Sequence, residues 1–139
     1  MTFNKDFFAK QSFDLTTIKR YFSKAKSNLR IARDSKEPEV KFHFSYLALI
    51  QIGITLTATK NYRVKSKDGH HIMIIENLSD ILGNKDINTI GNRMRQKRNS
   101  DIYGEIAAIT SKEAREYMSF VEMVLKECEE YVFKQKHLI

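Results

Sequence analysis

From Asp14 the apolar residues Leu15, Ile18, Phe22, Ala25, Leu29 and Ala32 recur at steps of three and four, the spacing of one face of an α-helix. Asp14 suits an N-cap, because its carboxylate accepts from free N–H groups of the first turn, so the pattern predicts a helix from there to about Arg33. Pro38 sits where a first-turn proline is tolerated. Val40, Phe44, Leu47, Ile50, Ile54 and Leu56 to Ala58 follow, with apolar residues on nearly every face. A helix that is apolar all round is a buried one, so this second helix is expected at the centre. The run from Phe42 to Ala58 is interrupted by His43, Ser45 and Gln51 among other polar residues and is short for a bilayer span, so no membrane is expected. Phe42, Phe44 and Tyr46, with Met118 and Met123, read as core filling rather than as a cofactor box.

The segment Asn61 to Gly69, "NYRVKSKDG", is polar and basic and reads as an exposed connection. A third helix from about His71 to Leu82 follows, with Ile72, Ile75, Leu78, Ile81 and Leu82 at helical spacing, and Gly83 suits the left-handed residue that ends it. After the turn "GNKD", a fourth segment from about Asp86 carries Ile87, Ile90 and Met94 on one face toward Arg98. Thr110 and Glu113 form a capping-box pattern for a last helix with the stripe Ala114, Tyr117, Met118, Val121, Leu125, Cys128 and Val132. These five segments predict an all-α, up-and-down bundle of four main helices plus a short one, the third and fourth forming a hairpin. No strand pattern competes. The whole of 1–139 reads as one domain, with 1–13 and 134–139 as frayed tails.

Composition narrows the classes. One Pro and five Gly are too few for the turns of a sandwich or barrel, and 42% hydrophobic with 29% charged residues is ordinary for a globular chain. The lone Cys128 forms no intrachain disulfide, and the opening "MTFNKDFFAKQSF" lacks the order of a secretory signal, so a cytoplasmic location is expected. Net charge is +7, and residues 60–98 hold nine Lys or Arg against four acids. Clustered positive charge attracts polyanions, which makes nucleic acid, nucleotides or acidic proteins the natural partners; a solvated basic face with no ligand accounts for the same charge.

The densest cationic stretch is "RMRQKRNSDIYG", residues 93–104, with Arg93, Arg95, Lys97 and Arg98 ahead of Asn99 and Tyr103. A hairpin pivoting at Gly83-Asn84 brings His71 near Arg98, so His70, His71, Arg95, Arg98, Asn99 and Tyr103 can meet at one end of the bundle. Arg offers a planar fork to phosphate oxygens, Asn supplies donor and acceptor, and His changes protonation near neutral pH. RNA cleavage needs such groups: a base for the ribose hydroxyl, a cation for the charged phosphorane and an acid for the leaving oxygen. Only His70 or His71 can serve as base, since Arg stays charged and an unperturbed Tyr has a pKa of about 10. Each residue also has a structural reading: Gly-His-His as a helix start, Arg98 and Asn99 at a turn or subunit interface, Tyr103 as a core residue. Adjacent His70 and His71 face differently, and no His-Glu-x-x-His or paired-Cys spacing occurs, so neither a metal nor another cofactor is expected. Gly-rich phosphate loops and nucleophile elbows are absent too.

The order "NYRVKSKDGHH", then "IMIIENLSDILG", then "MRQKRNSDIYG", then "TSKEAREY" resembles the HEPN domain family, named for higher eukaryotes and prokaryotes nucleotide binding. The resemblance runs from about residue 15 to 133. It implies an up-and-down helical bundle, frequent homodimers, and either a metal-independent ribonuclease, often a toxin-antitoxin or defence component, or a noncatalytic RNA- or nucleotide-binding protein. Ribonuclease members carry Arg, a polar residue often Asn, and a His a few residues on. Arg98 and Asn99 match the first two positions, Tyr103 stands where the His is expected, and no His lies between Arg98 and His137. The resemblance thus implies Arg98 and Asn99, with Tyr103 in the place of the His, as the catalytic set; the hairpin adds His71 as a substitute, and the cationic cluster gives Arg93, Arg95, Lys97, Arg98 and His70 as the phosphate-binding set. It equally implies a noncatalytic module that pairs with a nucleotidyltransferase or antitoxin.

Overall fold

The computed structural model describes residues 3–102 and 109–134. In chain order these form β1 (Phe8–Lys10), α1 (Leu15–Asp34), α2 (Pro38–Thr59), β2 (Tyr62–Val64), α3 (His70–Leu82), α4 (Lys85–Ile102), α5 (Ser111–Glu129) and a π-helical turn (Glu130–Lys134). The chain is a mostly helical bundle, as the periodicity predicts.

Local sequence sets the helix boundaries. The Asp14 carboxylate accepts from Thr17 N–H at 2.8 Å and starts α1. Lys41 ends it, with Nζ donating to the carbonyls of Ala32 at 2.7 Å and Arg33 at 3.3 Å. The capping box of α5 is present in full: Thr110 Oγ1 accepts from Glu113 N–H, and the Glu113 carboxylate accepts from Thr110 N–H. Gly83, at φ 64°, closes α3 in the left-handed conformation. The α3–α4 pivot is held by Ser79 Oγ donating to the Asn84 carbonyl at 2.7 Å and by Asn84 Oδ1 accepting from Asp86 N–H at 3.0 Å.

Helix α2 is the central element, packed against α1, α3 and α5. Its fully buried face is Tyr46, Leu49, Ile52 and Leu56, a row offset from the one that the apolar pattern suggested, because with little polar contrast around the helix only its neighbours decide which side is innermost. Burying a Leu or Ile contributes about 1.5–3 kcal/mol, so this row is a main source of stability. Hydroxyls that interrupt the run bond the helix's own carbonyls: Ser45 to Lys41, Thr55 to Gln51 and Thr57 to Gly53. By length and composition α2 would span a bilayer, yet 72% of its apolar window is buried within the protein. Met123, expected in the core, is 44% exposed, and Val124 takes the inner position on α5.

Two expectations are corrected. Part of the segment 1–13, read as a frayed tail, is structured: β1 pairs antiparallel with β2 in the register Phe8↔Val64, Ala9↔Arg63, Lys10↔Tyr62, and Phe8 is buried. The stretch 61–69, read as an exposed connection, supplies the other strand. Lys65 N–H donates to the Phe7 carbonyl at 2.7 Å and Lys65 Nζ to the Lys5 carbonyl at 2.9 Å, which extends the pairing past the strands themselves. Helix α4 also continues through Asn99 to Ile102. Asn and Ser cost a helix interior no more than about 0.7 kcal/mol each, which packing readily outweighs.

Candidate functional site

The α3–α4 hairpin carries the site. Gly91 makes it tight: a Cβ there would lie 2.8 Å from Ile75 Cγ2 and 3.4 Å from Leu49 Cδ2, so α4 approaches α3 and α2 as it does because the residue is glycine. The first turn of α3 then faces the last turns of α4. Between them, and walled by the loop Ser66–Gly69, opens a cavity of about 550 Å³ lined by His70, His71, Arg95, Arg98 and Asn99. These are five of the residues that the sequence singles out. Arg95, Arg98 and Asn99 reach it together because they are three and four apart on one helix face.

The Arg98 guanidinium carbon lies 5.4 Å from the centroid of the Tyr46 ring, a cation–π arrangement that holds the charge at the cavity wall. Its Nε is buried and has no hydrogen-bond partner among the described residues. Such a donor has lost water without gaining an acceptor. Arg95 is oriented by donating from Nε to Asn92 Oδ1 at 3.1 Å.

The two histidines are held differently. His70 Nδ1 lies 2.6 Å from the Lys67 carbonyl, which can only accept, so Nδ1 carries the proton and Nε2 of the neutral ring is bare. His71 Nδ1 lies 2.8 Å from the Tyr46 hydroxyl. Burial, then the neighbouring His70 and the guanidinium charges of Arg98 and Arg95, push the His71 pKa down to about 4, so its ring is neutral at pH 7. Burial pushes the Tyr46 phenol up to about 12, so it keeps its proton. If the phenol donates, His71 carries its proton on Nε2 and can only donate there to an incoming oxygen. If Nδ1 donates, Nε2 is a base. The rings of His70 and His71 stand edge to face at 4.5 Å.

The N-terminus of α3 adds to the positive field, for Gly69, at φ 83°, provides no side-chain cap. On α2, one turn before Tyr46, His43 is also pushed below its ordinary value, by partial burial and then by the charge of Arg98. Tyr46 and His43 were not read as site residues from the sequence; the signal available was a buried Tyr, whose hydroxyl needs a partner, three residues after a His on the same helix.

Other expected residues stand elsewhere. Lys97 is committed to α5 through an ion pair of 2.6 Å with Glu113, whose carboxyl that contact, more than its backbone cap, holds below the usual range. Arg93 is exposed and does not line the cavity. Tyr103 and His137 lie outside the described residues. Among the described residues, no three His, Cys, Asp or Glu side chains converge to hold a metal ion. Comparison of the chain with protein-family models, with curated proteins and with solved structures finds no match.

Proposed function

We propose that this is a HEPN-like protein of the cytoplasm that binds RNA or a nucleotide by a phosphate group, in the cavity between the start of α3 and the end of α4. The observation that carries the reading is the convergence of Arg95, Arg98, His70 and His71 on one open cavity. The guanidinium groups of Arg98 and Arg95 and the α3 N-terminus would share the charge of a phosphate there, and His71 would donate to it from Nε2 where the Tyr46 phenol donates to Nδ1.

A second reading, metal-independent cleavage, is favoured by the fixed tautomer of His70. Its bare Nε2 would take the proton of a ribose 2′-hydroxyl, whose oxygen attacks phosphorus while the 5′-oxygen departs with a proton taken from solvent water, leaving a 2′,3′-cyclic phosphate. Arg98 would stabilise the phosphorane. His71 is too weak a base to be protonated at pH 7 and so is no reservoir for the leaving-group proton.

The test incubates the protein and Arg98→Ala with total RNA in chelator at several salt concentrations, reading cleavage and retention on the same samples, with light scattering for the homodimer that the HEPN reading implies. Arg98-dependent retention, falling steeply with salt, supports the binding reading, and Arg98-dependent cleavage supports the second. With neither, the partner becomes a protein such as a nucleotidyltransferase or antitoxin. Loss of the oligomer in Arg98→Ala without loss of RNA binding makes the cluster a subunit interface instead.

A further inference from the structure

A second cavity of about 550 Å³ opens beside the β1–β2 ribbon, at the opposite end of α3 from the His70–Arg98 site, and is lined by Phe3, Tyr62, Tyr131, Lys5, Lys60 and Asp80. Phe3 and Tyr62 stack with centroids 4.1 Å apart and planes 16° apart, and Phe8 meets Phe3 edge-on at 5.3 Å. The Lys60 ammonium lies 5.1 Å from the centroid of the Tyr131 ring. The strand pairing and the Lys65 contacts to Phe7 and Lys5 hold this N-terminal wall against the rest of the chain.

Aromatic rings bordered by two ammonium groups are the two halves of a site for a base that carries phosphate: bases stack on ring faces, and ammonium groups attract the phosphate. Asp80 selects among bases. A carboxylate only accepts, so it favours an edge with two adjacent N–H donors, which guanine offers at N1 and N2; adenine offers one donor beside an acceptor that repels the carboxylate. We infer that this cavity binds a guanine base with its phosphate, the base stacked on the outer face of the Phe3–Tyr62 pair with its edge on Asp80, the phosphate on Lys5 and Lys60. No residue of the His70–Arg98 cavity takes part, so the inference stands apart from the proposed function.

The experiment is calorimetric titration of the full chain with GMP and with AMP, repeated on Tyr62→Leu and Asp80→Ala. GMP binds about tenfold more tightly than AMP, Tyr62→Leu weakens GMP by about tenfold or more, and Asp80→Ala removes the preference. Circular dichroism checks that Tyr62→Leu keeps its helices; should it not, the exposed Lys60→Ala, expected to weaken GMP but not guanosine, takes its place. Absence of saturable GMP binding, equal affinity for the two nucleotides, or GMP binding that Tyr62→Leu and Lys60→Ala leave unchanged overturns the assignment. Displacement of GMP by a short guanine-containing oligoribonucleotide at lower concentration assigns the site to an unpaired base of RNA, whereas failure to displace assigns it to the free nucleotide.

Discussion

The Tyr46 hydroxyl and His71 Nδ1 lie 2.8 Å apart, joining the centre of α2 to the first turn of α3 beneath the Arg98 guanidinium. Tyr46 is fully buried, so Tyr46→Phe removes one oxygen and leaves Nδ1 without its partner. The expected cost is about 1–3 kcal/mol, read as a lower urea midpoint at unchanged slope. An unchanged midpoint would show that the hydroxyl does not satisfy the ring.

The same histidine makes stability depend on pH. Its ordinary value is 6.5 and the fold lowers it to about 4, so below pH 6.5 the unfolded chain binds a proton that the folded chain refuses. The His71 contribution is complete above that pH and is lost as pH falls toward 4. His71→Gln should flatten urea midpoints measured across this window. Arg98 is one of the charges that lower this pKa, so in Arg98→Ala the His71 midpoint, followed by NMR, moves up, and phosphate bound to the wild-type protein moves it the same way.

If RNA is cut, the two histidines separate by role. His70→Ala removes the base with the bare Nε2 and should abolish cleavage in chelator while leaving retention near wild type. His71→Ala should weaken retention and cleavage together. Full cleavage by His70→Ala would transfer the base role to His71, and cleavage by both variants would place it on neither.

Gly91→Ala tests how the bundle positions the cavity. The added methyl meets Ile75 and Leu49, and relief requires α4 to move from α3. Overpacking of this kind costs about 1–3 kcal/mol. Because Arg95 and Arg98 ride on α4, RNA retention should fall although no ligand contact is removed. Retention at wild-type strength in a destabilised variant would mean that the cavity tolerates the shift.

The helices were legible because one side of each is polar, and the spacing of Ile18, Phe22, Ala25 and Leu29 needs no other information. The inner row of α2 was not, since a helix apolar all round carries no contrast. The ribbon escaped because strands of three residues are too short to show alternation, and their pairing joins Phe8 to Val64, far apart in sequence. At the site, the Gly83 pivot sufficed to bring His71 to Arg98. Lys97 was indistinguishable from its cationic neighbours until Glu113 was placed beside it, and the part of Tyr46 depends on a partner supplied by another helix.

The pairing of β1 with β2 also bears on the order in which the chain can fold. The strand at residues 8–10 is synthesised before its partner at 62–64, which follows only after all of α1 and α2. Until then its N–H and C=O groups are an unpaired edge, the kind of template on which other chains pair. The two helices between can form by local contacts, and closing the ribbon across them is the slower, non-local step. Lys67 places its ammonium 4.8 Å from the Phe7 ring, so the loop that walls the His70–Arg98 cavity takes its place in the same step. A newly made chain would thus acquire its helices before the His70–Arg98 cavity.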